Sequence, residues 1–360
     1  VTARRQGALP PRTRLVHIGP HKTGTTTLQG AFHLSRRALA AHGVRYAGRS
    51  RQPAHAAAAI AGGTPVHSLE APSTAHWEQL CAEVARAGRR RRVVVSSERF
   101  ANADTDTARA VVDGLGGERV HVVVTLRPLL KILPSQWQEY VKTGHRHAYV
   151  DWLDGMLRRP PYDRPTPSFW RRHRHDELVA RWAKAAGAEN LTVVVVDQND
   201  PLWQLRAFED LLGLPEGVLQ PERDGFTNRS LTAAEVEMLR LVNEELARSR
   251  RPAAERKLVR EALVRELRGA YEPGKDAARI ATPAWARRAA AAVSAEMVAG
   301  IRNSGVRVMG DLDSLVPAAE PAETEAAEPD GDEPAAEPRL PVSAVHAAVA
   351  GALAAAAGSP

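Results

Sequence analysis

Leu15-Val16-His17-Ile18-Gly19-Pro20-His21-Lys22-Thr23-Gly24-Thr25-Thr26-Thr27-Leu28-Gln29 decides how the rest of the chain is read. Leu15 to Ile18 read as a short apolar strand. Gly19 and Gly24 bracket a tight loop, and Thr25 to Thr27 open a helix. The first N–H groups of a helix have no partner inside it. With the threonine hydroxyls and the helix dipole they form an anion site. The same residues also suit a plain helix start with threonine caps, so the stretch needs a companion before it points to a chemistry.

A nucleotide loop of the Walker type needs Lys directly after its second Gly, then Ser or Thr. Here Thr25 follows Gly24, and the lysine sits two residues earlier, at Lys22. From there it can still reach a phosphate oxygen, but the order argues against an ordinary ATPase. The companion stretch is Val120-His121-Val122-Val123-Val124-Thr125-Leu126, whose β-branched run predicts a buried strand. It ends at Arg127-Pro128, and Ser135 follows eight residues after Arg127.

These two motifs, in this order and about a hundred residues apart, resemble those of sulfotransferases that use 3′-phosphoadenosine 5′-phosphosulfate (PAPS). The resemblance runs in outline from residue 13 to residue 245 and is sharp at the two motifs. It implies a P-loop NTPase-like sulfotransferase fold. It also implies that Lys22 neutralises the leaving phosphate. Thr25 and Thr26, with the N–H groups of Thr23, Gly24, Thr25, Thr26 and Thr27, would bind the 5′-phosphate and sulfuryl oxygens. Arg127 and Ser135 would hold the 3′-phosphate, which a planar guanidinium suits because it can make two charge-assisted bonds to one phosphate. Asn228-Arg229-Ser230 looks like a late donor-binding segment, which adds Arg229 as a 3′-phosphate candidate. The glycine-rich C-terminal signature of the cytosolic branch is not recognisable, so the resemblance is to a distinct, bacterial-type branch.

Glu98 is the candidate base. Val93-Val94-Val95-Ser96-Ser97-Glu98 puts a carboxylate just past a buried strand, and open α/β sheets bind ligands at that edge. The heparan-type branch of the family is similar in using Glu, whereas the cytosolic branch uses His. A carboxyl with a modestly raised pKa is expected there. The plainer readings are a helix-cap partner or a salt bridge to Arg99 or Arg127. His21, His145 and His147 are rival bases, and His17 reads as a packed strand residue. Arg171-Arg172-His173-Arg174-His175 reads as a solvated basic helix start that attracts an anionic acceptor. Its histidine spacing cannot form a helical i, i+4 metal pair, and the scheme needs no metal.

Composition sets outer bounds. The chain has 360 residues, 44% hydrophobic, enough for one large core. Its formal charge is +7, although residues 317–338 hold eight acidic residues and no Lys or Arg. The rest of the chain is therefore more basic than the total suggests, as an enzyme holding an anionic donor should be. Nucleic acid is the competing explanation for that charge; the scattered arginines do not favour it, and no nucleic-acid partner is expected. The single cysteine, Cys81, excludes an internal disulfide and a thiolate zinc cluster. It fits a reducing, cytoplasmic setting. No apolar run follows Arg4 and Arg5, so no signal peptide is expected there. Leu340 to Gly358 is mostly Ala and only marginally apolar, so no stable membrane insertion is expected.

Alternation of strands and helices predicts an α/β fold, three-layer with a central parallel sheet, and a helical C-terminal part. Strands are expected near 14–18, 44–48, 93–96, 120–126 and, as the last, 191–196. Residues 1–12 read as a flexible tail, 13–316 as one domain, and 317–360 as a disordered acidic and Ala-rich tail. A helix is expected from Thr25 to about Ala41. Residues 49–74 show no strong period, and 143–173 read as a long aromatic, basic connection of the kind that forms binding loops. The reading is a sulfuryl transfer from PAPS to a hydroxyl, or as second choice an amine, of a small-molecule, lipid or glycan acceptor. A P-loop-type small-molecule kinase and a non-enzymatic regulator binding nucleotide or anionic polymer are the alternatives.

Overall fold

The computed structural model describes residues 7–63, 71–160, 162, 164–222, 229–249, 251–269 and 277–317. Strands β1 (Arg14–His17), β2 (Val44–Tyr46), β3 (Arg92–Ser96), β4 (Val120–Leu126), β5 (Leu191–Val195) and β6 (Arg307–Met309) form one sheet in the order β2-β3-β1-β4-β5-β6. Every pairing is parallel. Val16, Val93, Val95, Val122 and Val124 belong to one core, and Leu15, Val94, Val123 and Val194 to another. Neighbouring strand residues point to opposite faces, and both faces are covered, so the strands read as continuous apolar runs.

Helices Thr74–Ala87, Thr105–Leu115 and His175–Ala186 supply Leu80, Val84, Val111, Leu115, Leu178 and Trp182 to the first core. Helices Thr25–Leu34 and Trp203–Leu212 supply Leu28, Phe32 and Phe208 to the second. The architecture is the expected three-layer α/β arrangement, and helices Ala233–Arg248, Ala253–Gly269 and Ala284–Arg302 make the C-terminal part helical.

The chain divides into two compact units. The first draws on 1–129, 166–223 and 291–316 and holds the whole sheet. The second draws on 130–165 and 224–290 and is helical where described. In it, Thr232 and Glu235 start the helix Ala233–Arg248 with a reciprocal cap. The Glu235 N–H donates to the Thr232 hydroxyl (3.3 Å), and the Thr232 N–H donates to the Glu235 carboxylate (2.7 Å).

Several local expectations differ from the structure. The expected long helix after the loop is two, Thr25–Leu34 and Arg36–Ala41, separated at Ser35. Residues 54–61 form a helix inside the stretch read as unstructured. The 143–173 segment is not one irregular connection, because it contains helices Tyr149–Leu157 and Ser168–His173. Tyr149, Trp152, Leu153 and Met156 are all buried, and their i, i+3, i+4, i+7 spacing is a helical stripe. A sixth strand, β6, follows the one expected to be last. It is three residues long, lies at the sheet edge and starts with an exposed Arg, so it carries no apolar run to find.

Residues 1–6, Asn228, 318–360 and with them nearly all of the acidic stretch and the whole of Leu340 to Gly358 lie outside the described residues. Among the described residues, no helix is long and apolar enough to cross a membrane.

Phe208 is fully buried and meets Phe32 and His17 edge-on, at 5.9 and 5.2 Å between ring centroids. Phe208→Ala is expected to cost about 3–5 kcal/mol through lost transfer energy and the cavity left behind. Urea unfolding should show a lower midpoint at unchanged slope.

Candidate functional site

The strand-to-helix turn forms because its backbone needs glycine at two places. Gly19 has φ +80°, and a Cβ there would stand 2.9 Å from Glu98 Cβ. The loop therefore packs directly on the segment that carries Glu98. Gly24 has φ +83°, and a Cβ would meet Gln204 Oε1 at 2.3 Å. Lys22 holds a left-handed φ of 68° without being glycine, a conformation that costs energy and clusters at functional turns. No side chain caps the helix Thr25–Leu34. Its first-turn N–H groups have no partner inside the helix, and Thr26 and Thr27 are exposed beside them.

Thr23 behaves differently from its neighbours. Its side chain is fully buried, and its hydroxyl donates to the Pro20 carbonyl (2.7 Å). It shapes the loop from beneath, so only its backbone N–H is left for a ligand. Thr25 is also buried. Gln204 donates to the Thr23 carbonyl (3.3 Å) from the helix Trp203–Leu212.

Arg127 comes to the same loop. Its Nη1 donates to the Lys22 carbonyl (3.4 Å) and its Nε to Gln198 Oε1 (3.2 Å). Lys22, the Thr23–Thr27 turn, Glu98 and Arg127 therefore meet at the carboxyl edge of the sheet, within the first unit. Ser135 and Arg229 belong to the second unit. Ser135 is half-buried on the helix Leu129–Lys142. Arg229 is engaged with its own unit, donating to both oxygens of the buried Glu235 (2.7 and 2.9 Å) and to the Leu267 carbonyl.

Glu98 is half-buried, and its carboxylate accepts from Gln29 Nε2 (2.9 Å) and Gln52 Nε2 (3.3 Å). Burial pushes its pKa up. His21 and hydrogen bonds from Gln29, its own backbone and Gln52 together outweigh that and hold it below the usual carboxylate value. This corrects the expected raised pKa: the carboxylate has donors on both oxygens, and these favour its charged form. His21 is half-buried. Burial, then the charge of Arg172, with lesser help from Lys22 and Arg99, lowers it to about 4 against the pull of Glu98. At neutral pH the pair is therefore an ionised Glu98 beside an uncharged His21.

Beneath the loop runs a hydrogen-bond chain whose direction is set by counting protons. Thr125 has one, and it goes either to Thr23 Oγ1 (2.8 Å) or to the Gly19 carbonyl (3.2 Å). With the Thr23 proton on the Pro20 carbonyl, Thr125 supplies the contact to Thr23, and the contact from His17 Nε2 to Thr125 Oγ1 (3.1 Å) is then donated by His17. A neutral ring then leaves Nδ1 bare to accept from the Ser96 hydroxyl (2.8 Å). Ser96 Oγ accepts from Gln29 Nε2 (3.3 Å), whose other hydrogen serves Glu98. The chain Gln29, Ser96, His17, Thr125 thus ties the Glu98 carboxylate to the loop. His17 is, as expected, a packed strand residue, and burial lowers its pKa to about 3 although Glu98 pulls it up.

Sequence reasoning missed Gln29, Gln52, Ser96, Thr125 and Gln204. Ser96 and Thr125 carried a signal, since each is a polar residue near the end of a β-branched run. Gln52 carried none. The Arg171–His175 run is not a solvated helix start. Arg172, His173 and His175 are buried, with His173 packed on Phe169 at 4.9 Å, because these residues lie on helices that face the core. His145 is half-buried beside Tyr140 and His147 in the second unit. Among the described residues, no group of three or more His, Cys, Asp or Glu is placed to hold a metal ion.

No protein-family model and no curated protein matches the chain. Among solved structures, a sulfotransferase from Alicyclobacillus acidocaldarius aligns over 67% of this chain and 98% of its own, at 14% identity and a TM-score of 0.43. A likeness of that degree speaks to neither the donor nor the acceptor of this chain.

The buried His17 makes the fold acid-sensitive. Between the ordinary value of 6.5 and about 3, the unfolded chain carries a proton on this ring that the folded chain does not. Stability must therefore fall as pH falls through that window, by roughly 1.4 kcal/mol per pH unit from this residue alone. His17→Gln, which also offers one acceptor and N–H donors, should flatten the decline seen in denaturation curves between about pH 4 and 6.5. An unchanged slope would count against a buried neutral His17.

Proposed function

We propose that the protein is a sulfotransferase that moves a sulfuryl group from PAPS to a hydroxyl, or as second choice an amine, of a small-molecule, lipid or glycan acceptor. The observation that carries this reading is Arg127 bonded to the Lys22 carbonyl. It brings the strand-end arginine and the loop lysine to one place, as a donor with phosphate at both ends requires. In this scheme the open N–H groups of residues 23–27 bind the 5′-phosphate and sulfuryl oxygens, with Thr25 and Thr26 beside them. Arg127, with Ser135, takes the 3′-phosphate. Arg229 joins only by releasing Glu235.

The acceptor oxygen attacks sulfur, and the bond from sulfur to the 5′-phosphate oxygen breaks. The acceptor proton passes to the Glu98 carboxylate. Lys22 neutralises the charge that develops on the leaving phosphate. As in phosphoryl transfer, positioning and electrostatics supply most of the acceleration. Gln29 and Gln52 aim the carboxylate, and the chain through His17 holds it in register with the loop. Nothing in this scheme calls for a metal.

Calorimetric titration with 3′-phosphoadenosine 5′-phosphate, beside ADP with Mg²⁺, tests the donor. The former should bind, and Arg127→Ala should weaken it by about 1.5–3 kcal/mol, the worth of hydrogen bonds to a charged group. Preference for ADP with Mg²⁺ would replace this reading by the kinase.

Glu98→Gln should lower kcat by about a hundredfold or more, the usual scale for a general base, while leaving 3′-phosphoadenosine 5′-phosphate binding intact. Because Glu98 is held below the usual carboxylate range, activity should stay level as pH falls from neutral. It should be lost only below that range. Loss of turnover in His21→Phe with full activity in Glu98→Gln would move the role of base to His21.

A further inference from the structure

The helical unit carries a cleft that the proposed function leaves unused. It measures about 260 Å³, and its lining includes Thr143, Gly144, Arg146, Asn243, Arg256 and Arg260. Arg256 and Arg260 lie four residues apart on the helix Ala253–Gly269, so their side chains leave the same face. Both are half-buried, and Arg146 stands exposed at the mouth. The Arg260 guanidinium rests on the turn at Gly144, where a Cβ would be 3.5 Å from its central carbon.

These cations have no bonded carboxylate among the described residues. Among the described residues, no hydrogen bond or ion pair engages the side chains of Arg146, Arg256 or Arg260. Nearby carboxylates pair elsewhere: Glu255 with Arg251, Glu261 with Lys257, and Glu244 with Arg240 and Arg248. Burial, then the charge of Arg256, lowers the Arg260 pKa against the pull of Glu261. Half-buried like charges side by side are costly until an anion joins them. A guanidinium offers that anion a planar pair of donors.

A second feature refines the ligand. Asn243 is buried, and its Nδ2 donates to the Val141 carbonyl (2.7 Å) and the His145 carbonyl (3.1 Å). Those bonds fix the amide orientation and leave Oδ1 buried without a partner. A carbonyl oxygen so placed calls for a donor, and a hydroxyl is one that an anionic ligand can carry.

We propose that this cleft binds an oxyanion carried on a hydroxyl-bearing skeleton, the chemistry of a phosphorylated, sulfated or carboxylated sugar. Arg256 and Arg260 hold the oxyanion, Arg146 closes on it from the mouth, and Asn243 Oδ1 takes a neighbouring hydroxyl. The proposal stands apart from the sulfotransferase reading, since none of its residues serves the loop.

Calorimetric titration of the full chain with glucose 6-phosphate, inorganic phosphate and glucose tests it. Glucose 6-phosphate should bind more tightly than inorganic phosphate, and glucose should not bind. Arg256→Gln with Arg260→Gln should weaken glucose 6-phosphate binding about tenfold or more. Arg146→Glu at the exposed mouth should weaken it too, without touching a buried position. Lys22→Ala with Arg127→Ala should leave it unchanged. Binding that survives the Arg256 and Arg260 changes, that disappears with Lys22 and Arg127 instead, or that is absent in the native chain at low salt overturns the site. Equal affinity for the two phosphates overturns the role given to Asn243.

Discussion

Where β3, β1 and β4 end side by side, one fully buried imidazole holds together parts of the molecule that are far apart in sequence. His17 takes a hydrogen from Ser96 and gives one to Thr125. The distances leave little choice about which atoms carry protons, because every hydroxyl in the chain has only one to give. A neutral ring satisfies all partners at once. A charged ring would take away the acceptor that Ser96 uses and would place a cation in a fully buried site. The low pKa of His17 is therefore a property of the network as much as of its burial. From this point one branch reaches Glu98 through Gln29, and the other reaches the underside of the loop through Thr125 and Thr23.

Above that network lies the loop. The helix Thr25–Leu34 starts on a left-handed glycine with no side-chain cap, and Lys22 and Arg127 stand beside it. Lys22, Arg99 and Arg172 all lower the pKa of His21, so the loop lies in a field of positive charge. Two donors to Glu98 keep its carboxylate ionised in the same surroundings.

The second unit solves a different problem. Its helix Ala233–Arg248 begins on a reciprocal cap, and arginines serve its own architecture, as Arg229 does with Glu235 and the Leu267 carbonyl. Arg240 does the same with Glu237, Glu244 and the Arg146 carbonyl. Against that pattern of paired arginines, Arg256 and Arg260 stand out as neighbouring cations with no bonded carboxylate among the described residues.

The sequence by itself determined five of the six strands and the loop. Runs such as Val93 to Val95 and Val120 to Val124 can only be strands buried on both faces. Gly19, Gly24 and the threonines after them announce a tight turn into a helix. Glu98 and Arg127 were legible because both follow such strands directly, and chain continuity alone puts a strand-end residue at the sheet edge. Tertiary structure decided everything that depends on who stands opposite. Whether Glu98 is raised or lowered depends on His21, Gln29 and Gln52, which reach it from other segments. Whether Arg172, His173 and His175 are solvated depends on which face of their helices the core covers. The free or engaged state of Arg229 depends on Glu235 and Leu267. Burial, partner and charge state are set by contacts between distant segments, and a local pattern of residues does not contain them.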